Sequence, residues 1–179
     1  EGIAHHKGSA FGALGQPVQP SSEHFENLLA TELKFFDDKK RVWLEDESRS
    51  VGKVFLDLNF WNNLRSSPLF VVDLPLEVRI KRLVIDYGEN HLSGLEKSVT
   101  NIKNRLGGLQ WKNAIDALHA RDFEQVARIT LHYYDKAYDN GISLKETKEI
   151  FRFAFEKDEM NLIAQTLIEA AYKKYGSKA

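Results

Sequence analysis

The sequence of 179 residues contains no cysteine. This absence excludes a disulfide framework, a zinc site with cysteine ligands and a cysteine nucleophile within the chain. Long hydrophobic runs are missing too: the longest, residues 69–72, is far shorter than the roughly 20 residues that a membrane-spanning helix requires. No signal peptide is visible either. We therefore expect a cytoplasmic protein without a membrane partner.

The chain also lacks an excess of charge of either sign. It has 25 lysines and arginines against 26 aspartates and glutamates, and its formal net charge is −1. This balance excludes a protein that binds nucleic acid through bulk positive charge, but it allows a local basic patch. The first residue is Glu1 rather than methionine, so we expect the chain to be part of a longer protein.

The usual metal and nucleophile patterns are missing as well. The six histidines form no His-Glu-x-x-His pattern, and the adjacent His5 and His6 favour opposite side-chain directions. No serine lies in a Gly-x-Ser-x-Gly elbow. The sequence therefore predicts neither a metal site nor a serine-centred triad.

Hydrophobic periodicity divides the chain at residue 88. Residues 1–88 alternate between helical patterns and short apolar runs typical of buried strands, which predicts an α/β domain. Residues 89–179 show only helical periodicity and predict an all-helical region. The predicted strands are residues 41–44 and 69–73, and the predicted helices cover about 23–36, 55–64 (a short helix or turn), 76–87, 95–106, 109–118, 123–137 and a stretch from residue 160.

Glycines and capping residues predict where helices end and begin. Gly88 is the expected C-cap of the helix before it, and Asn140-Gly141 is expected to end the helix that starts at residue 123. Ser143 with Glu146 has the spacing of a capping box, which predicts a further helix after residue 143.

Three consecutive carboxylates follow the first predicted strand. Glu45, Asp46 and Glu47 are similar to the second acidic motif of P-loop proteins, in which a strand delivers an acid to the metal ion or water beside a phosphate. They are the candidate catalytic residues, and a solvated strand end without chemistry is the alternative. Together with the second strand, the motif predicts a partial parallel sheet like that of P-loop kinases, followed by the all-helical C-terminal region.

Two arginines lie three residues apart on the helix predicted after Pro75. Arg79 and Arg82 are therefore neighbours on one helix face and could bind phosphate groups bidentately. The alternative is a solvated face on which they pair with Glu77 or Asp86.

Candidate anion-binding residues lie in predicted loops. Arg49 and Arg65 are isolated loop cations, which are well placed for anion binding. In the first 12 residues, glycines alternate with polar and cationic side chains, a pattern suited to close approach of the backbone to an anion. A flexible terminal arm is the alternative for this segment. The candidate anion-binding residues are His5, His6, Lys7, Ser9, Arg49 and Arg65.

Taken in order, several of these motifs resemble one known family, tRNA 2-selenouridine synthase. The similar segments are Glu1-Gly-Ile-Ala-His-His-Lys-Gly-Ser-Ala-Phe-Gly12, Phe25-Glu-Asn27, Trp43-Leu-Glu-Asp-Glu-Ser-Arg49 with Gly52, Arg65-Ser-Ser-Pro68 and Asp73-Leu-Pro-Leu-Glu-Val-Arg79. The stretch of residues 132–138 is similar to the family's His-Tyr-Asp-Pro-x-Tyr element, with one inserted tyrosine and lysine in place of proline. The resemblance covers roughly residues 1–140.

The resemblance implies a transferase that acts on the wobble uridine of certain tRNAs. In this family the sulfur of 2-thiouridine is first geranylated with geranyl diphosphate, and the S-geranyl group is then replaced by selenium from selenophosphate. Both compounds are substrates, and no motif in this chain marks a bound cofactor. The family also has an N-terminal rhodanese-like domain with a catalytic cysteine, followed by a P-loop domain with a Walker A loop.

This chain departs from the family in two features. It has no cysteine and no Gly-x-x-x-x-Gly-Lys-Ser/Thr motif, so neither the rhodanese nucleophile nor the Walker A loop is present. We therefore expect a C-terminal fragment that is incomplete as an enzyme, and whose rhodanese and Walker A segments belong to the same enzyme or to a partner chain.

The resemblance also suggests roles for cations, while two other functions stay open. The tRNA itself is the expected partner, and the helical region is the part expected to face it. The candidate tRNA-binding residues are Arg79, Arg82, Lys103 and Arg105.

One alternative function is that of a fragment of a P-loop small-molecule kinase. The other is that of a non-catalytic RNA-binding module whose affinity for RNA falls steeply with salt.

Overall fold

The computed structural model describes residues 1–37, 39–46, 48–87 and 91–176. After a short 3₁₀ turn at Gly2–Ala4, the first part contains the helices α1 (Ser22–Lys34), α2 (Leu58–Ser66) and α3 (Leu76–Tyr87) and the strands β1 (Ser50–Val51), β2 (Val54–Phe55) and β3 (Leu69–Asp73). The second part contains α4 (Leu92–Asn101), α5 (Lys103–Leu106), α6 (Gly108–His119), α7 (Phe123–Ser143), β4 (Ile150–Ala154) and α8 (Met160–Tyr175).

The central sheet is small and parallel. Strand β3 pairs with β4 in a register that runs from Leu69 opposite Ile150 to Asp73 opposite Ala154. The chain between the two strands forms α3 to α7, as a parallel pair requires a crossover. Phe70 carries much of the packing on the sheet, since its ring lies 5.1 Å from that of Phe151 and 5.8 Å from that of Phe153.

The described residues form two hydrophobic clusters. The larger one joins α4, α6 and α7 around fully buried side chains such as Val99 and Leu118. The smaller one joins Phe25 of α1 to Val51 and Val54 of the antiparallel β1–β2 hairpin. At about 25 cal/mol per Å² of apolar surface removed from water, these clusters supply the main favourable term in folding.

Side-chain caps explain where three of the helices start. The side chains of Ser21, Asp57 and Asp122 accept hydrogen bonds from backbone N–H groups in the first turns of α1, α2 and α7, respectively. Each such cap satisfies a donor that the helix itself cannot pair. In α2 and α7 the capping group is a carboxylate, which the helix dipole also favours.

The predicted fold class is confirmed: the chain is α/β, with a small parallel sheet and a helical C-terminal region, consistent with part of a P-loop-like domain. Most predicted helices are present within a few residues of their expected bounds. Gly88 lies outside the described residues, and the division into domains at that position stays a prediction.

None of the helices in the described part of the chain is long and apolar enough to span a membrane.

The predicted strand at residues 41–44 is wrong. These residues have no regular secondary structure, because no neighbouring strand pairs with them among the described residues. The apolar side chains that suggested a strand are each about half exposed, at 45–47% for Val42, Trp43 and Leu44. Trp43 instead packs edge-on against Phe70, with 5.1 Å between the ring centroids.

The helix predicted after residue 143 is also wrong. Helix α7 continues through Asn140-Gly141 to Ser143, whose hydroxyl donates to the backbone oxygen of Asn140 rather than capping a new helix. The segment that follows forms β4, the one described strand after residue 88, so the prediction that residues 89–179 are all-helical is wrong as well. Its pairing with β3 is non-local, and that tertiary contact overrides the local capping pattern.

Candidate functional site

A cleft of about 850 Å³ lies beside β3 and brings together residues from distant parts of the sequence. Strand β3 and the following Leu74 line one wall of the cleft. The other walls come from residues 8–9, from Asp46 and Ser48, and from α2 and the C-terminal half of α7. Among the predicted site residues, Ser9, Asp46, Arg65 and Arg79 line this cleft.

The acidic motif reaches the cleft through Asp46. Its carboxylate accepts a hydrogen bond from the Nζ of Lys145, whose side chain is only 2% exposed while that of Asp46 is 34% exposed. The Glu45 side chain is exposed. Glu47 lies outside the described residues. A catalytic role of the three carboxylates stays a prediction.

Arg79 faces the cleft as half of a bidentate ion pair. Its Nη1 and Nη2 atoms donate to the two carboxylate oxygens of Asp135 at 2.6 and 2.9 Å. This hydrogen bonding raises the pKa of Arg79, against an opposing effect of burial. Its Nε is buried and has no hydrogen-bond partner. The pair with Asp135 uses one hydrogen on each of Nη1 and Nη2, so each of these atoms keeps a second N–H donor.

Arg65 and Arg49 bind backbone carbonyls. Arg65 lies in the last turn of α2 and not in a loop as predicted. At this end of the helix its positive charge interacts favourably with the helix dipole. It donates to the backbone oxygen of Leu144 and lies 5.5 Å from the ring centroid of Trp61. Arg49 donates through Nε to the backbone oxygen of Leu56 at 3.3 Å. Of these two, Arg65 lines the cleft.

The two adjacent histidines point in different directions, as their adjacency predicts. His5 is held by a hydrogen bond between Nδ1 and the backbone oxygen of Val18 at 2.9 Å. His6 is buried, and burial lowers its pKa, although the charge of Glu1 acts in the opposite direction. A Cβ on Gly12 would come within 2.7 Å of the His6 ring, which shows how closely this segment packs. The structure therefore places His6 in a packed interior, away from the cleft.

A second, apolar pocket of about 300 Å³ adjoins the cleft. It lies among α3, α4, α7 and the N-terminal segment, and Ser9, Tyr134 and Tyr138 line both spaces. Its walls are mostly aliphatic and aromatic: Phe11, Leu83, Val84, Tyr87, Leu95, Phe123, Val126, Ala127 and Leu131. This pocket could not be predicted from the sequence, because its walls come from four separated segments.

Lys7 supplies a cation at the apolar pocket. Its Nζ lies 5.0 Å from the ring centroid of Tyr87, and both residues line the pocket. Burial raises the pKa of Tyr87 to about 12 and raises that of Tyr134 as well. Both hydroxyls therefore stay protonated near neutral pH. The Tyr134 hydroxyl accepts from the backbone N–H of Ala10 at 3.0 Å, which fixes the N-terminal segment against α7.

The other predicted tRNA-binding cations lie outside the cleft and pocket. Arg82 pairs with Asp86 at 3.2 Å and with Asp158 at 3.4 Å. These contacts are those of a helix-surface ion pair, which the sequence allowed as the alternative to phosphate binding. On α5, Lys103 lies 3.9 Å from the ring centroid of Trp111, and Arg105 donates to the Tyr133 hydroxyl at 3.2 Å. Binding of tRNA by these residues stays a prediction.

Within residues 1–37, 39–46, 48–87 and 91–176, no group of three or more histidine, aspartate or glutamate side chains is arranged to hold a metal ion. The site therefore offers a mixed set of cations, carboxylates and tyrosine hydroxyls around a cleft, with an apolar pocket beside it. This combination suits a ligand with an anionic part and a hydrocarbon part.

The chain is similar to proteins of one family. A family model described as the tRNA 2-selenouridine synthase AAA domain matches residues 1–170. A tRNA 2-selenouridine synthase of Shewanella piezotolerans is 32% identical over 183 aligned residues, which cover 85% of this chain and 50% of the relative. The proteins of the same name from Shewanella halifaxensis and Shewanella oneidensis are each 31% identical over 85% of this chain. The chain thus spans about half the length of these curated relatives, and no solved structure matches it.

Proposed function

Because this chain belongs to the tRNA 2-selenouridine synthase AAA domain family, we propose that it forms part of an enzyme that replaces sulfur by selenium in tRNA. The substrate is the wobble 2-thiouridine, and the product is 2-selenouridine. The reaction passes through an S-geranylated base, with geranyl diphosphate and selenophosphate as co-substrates. The enzyme is a transferase.

One observation carries this proposal: an apolar pocket of about 300 Å³ adjoins a polar cleft of about 850 Å³. A geranyl group is a ten-carbon hydrocarbon with no hydrogen-bonding atoms, so it requires an apolar enclosure. Burial of each CH₂ contributes about 0.8 kcal/mol to binding. The diphosphate and the base are polar and belong in the cleft. The residues shared by the two spaces, Ser9, Tyr134 and Tyr138, mark where the two parts of the ligand join.

The first step transfers the geranyl group to sulfur. The 2-thio sulfur forms a bond to C1 of the geranyl group while the bond from C1 to the diphosphate oxygen breaks. The diphosphate leaves with the electron pair, and the base loses its N3 proton. Lys7 and Arg65 stabilise the leaving anion. The Asp46 carboxylate, held by Lys145 at the edge of the cleft, accepts the proton.

The second step exchanges sulfur for selenium. The selenium of selenophosphate forms a bond to C2 of the base, and the C2–S bond breaks to release geranylthiolate. Water then cleaves the Se–P bond and releases phosphate. Arg79 is placed to orient the phosphate group from the cleft wall, because its pair with Asp135 uses only two of the five N–H donors of the guanidinium.

Calorimetric titration with geranyl diphosphate tests the proposal on the chain itself. We expect it to bind at least about tenfold more tightly than dimethylallyl diphosphate, which is five carbons shorter and buries less hydrocarbon. The variant Ala127→Phe fills the pocket, whose wall includes Ala127. It should abolish the difference between the two ligands. Ala164→Phe, on the exposed side of α8, is the matched control and should preserve it.

Equal affinity for the two prenyl diphosphates and for inorganic diphosphate would show that the pocket takes no hydrocarbon chain. A second variant, Lys7→Met, keeps the test valid if Ala127→Phe does not fold. It should weaken all three ligands while the preference for the longer chain persists, because it removes charge and leaves the apolar walls intact.

A further inference from the structure

The apolar pocket runs along one face of α7. Five of its lining residues follow one another on this helix at intervals of three or four residues, which is the spacing of a single face: Phe123, Ala127, Leu131, Tyr134 and Tyr138. Tyr134 and Tyr138 also line the cleft, which continues along α7 as far as Ile142. The helix therefore leads from the cleft into the pocket, and Phe123 is the α7 residue of the pocket farthest from the cleft.

The regular rise of α7 gives the depth of each position in the pocket. At about 1.5 Å per residue, Ala127 lies about 10 Å from Tyr134 along the helix axis, and Phe123 lies about 6 Å beyond Ala127. An extended geranyl group has a main chain of eight carbons and spans nearly the distance from Tyr134 to Ala127. The third five-carbon unit of a farnesyl group would extend from there to Phe123.

The two deepest positions on this face carry side chains of very different size. Ala127 is buried and has only a methyl group, so it leaves room against the helix for the second unit of a geranyl chain. At the next position on the face, Phe123 presents an aromatic ring to the pocket. The row of lining residues thus ends in its last turn on a bulky apolar group that a terminal methyl of the hydrocarbon can contact.

The backbone that carries Phe123 is held at the turn between α6 and α7. The backbone N–H of Asp122 donates to the oxygen of Ala117 at 2.9 Å, and the Asp122 side chain accepts from the N–H of Gln125 at 3.0 Å. Helix α6 is itself anchored by the fully buried Leu118. Because the start of α7 is fixed in this way, the ring cannot move outward with the backbone to lengthen the pocket.

We propose that Phe123 determines the length of the prenyl chain that the pocket accepts: its ring contacts the end of a geranyl group and excludes the third unit of a farnesyl group. The inference rests on the proposed function and adds why a ten-carbon donor is selected over a fifteen-carbon one. In a pocket without an end, farnesyl would bind more tightly than geranyl, because it buries more CH₂ groups. Selection of the shorter chain therefore requires a steric stop.

Calorimetric titration with dimethylallyl, geranyl and farnesyl diphosphates tests this assignment. The unmodified chain should bind geranyl diphosphate at least about tenfold more tightly than either of the others. Phe123→Ala should raise the affinity for farnesyl diphosphate at least about tenfold, because a cavity with apolar walls accepts hydrocarbon, and should change that for geranyl diphosphate by less than about threefold.

Phe60→Ala is the matched control. Phe60 is also a partly buried phenylalanine, but it packs against the smaller cluster and is not among the residues that line the pocket or the cleft. This variant should leave the order of the three affinities unchanged. If Phe123→Ala does not fold, Phe123→Leu replaces it, since leucine keeps an apolar side chain in the cluster but is shorter than the ring. It should raise the affinity for farnesyl diphosphate about threefold.

The outcomes separate this inference from the proposed function. A farnesyl affinity that neither Phe123 variant raises, in a chain that still prefers geranyl to dimethylallyl diphosphate, would overturn the role of Phe123 and leave the geranyl pocket in place. Binding of farnesyl diphosphate by the unmodified chain as tightly as geranyl diphosphate would overturn it as well. Binding of dimethylallyl diphosphate as tightly as geranyl diphosphate would contradict the proposed function, and the role of Phe123 would fall with it.

Discussion

Asp46 and Lys145 form an ion pair, and replacing Asp46 should destabilise the protein more than replacing Lys145. The Lys145 side chain is 2% exposed, whereas that of Asp46 is 34% exposed. Asp46→Asn leaves the ammonium buried and without its counter-charge. Breaking a buried pair in this way costs about 3–5 kcal/mol, and we expect the lower end, about 3 kcal/mol, because Asp46 is partly hydrated. Lys145→Met leaves a carboxylate that water can reach, and should cost only about 1 kcal/mol.

Urea unfolding measures this difference directly. With a slope of about 2 kcal/mol per M, a loss of about 3 kcal/mol lowers the unfolding midpoint by about 1.5 M, against about 0.5 M for Lys145→Met. The double variant Asp46→Asn/Lys145→Met should be more stable than Asp46→Asn alone, because it removes the buried charge. Glu45→Gln is the control, since the Glu45 side chain is 63% exposed and should contribute little.

A smaller loss for Asp46→Asn than for Lys145→Met would refute this reasoning. It would mean that Lys145 is hydrated, and that the ion pair does not hold the segment of residues 41–46 against the end of α7. The position of Asp46 at the cleft would then require another explanation.

Three further predictions concern the packed interior. Leu118→Ala should lower the free energy of unfolding by about 2–5 kcal/mol, measured by urea unfolding, because Leu118 is fully buried in the larger cluster and leaves a cavity. Gly52→Ala should cost about 1–3 kcal/mol by the same assay, since Gly52 has a φ of 63° and a Cβ there would collide with the Gln19 side chain; Gly2→Ala, with open space around it, should be nearly neutral. Burial lowers the pKa of His6 in the folded protein, so the unfolded state binds more protons. The free energy of unfolding should therefore rise with pH between that lowered pKa and about 6.5. The variant His6→Gln should flatten this pH dependence, measured by thermal melts at several pH values.

Local patterns predicted the parts of the fold that depend on neighbouring residues. The amphipathic spacing of α1, α3 and α8 gave their positions, and the apolar run of residues 69–73 gave β3. Strand β4 was missed even though Phe151 and Phe153 flank Arg152 in a two-residue alternation. Five residues with this alternation become a strand only by pairing with β3, about 80 residues earlier in the chain.

The candidate site was predictable only in part, because long-range contacts build it. The acidic motif drew attention to Asp46, which lines the polar cleft, but Lys145 is 99 residues away and carried no local signal. The apolar pocket depends on contact between the N-terminal segment and α7, where Ala10 and Tyr134 are 124 residues apart. The residues around Tyr134 read as ordinary helix packing, and only the fold shows that Ala127 leaves space behind them.

Binding of an anticodon stem–loop to the chain tests the central claim most directly. The RNA would carry S-geranyl-2-thiouridine, 2-thiouridine or uridine at the wobble position, at low and moderate salt. The account predicts the tightest binding to the geranylated RNA, with a preference that withstands salt because it comes from the apolar pocket, and that Ala127→Phe removes. Equal affinity for the three RNAs, with a common steep salt dependence, would contradict it and leave only an RNA-docking role.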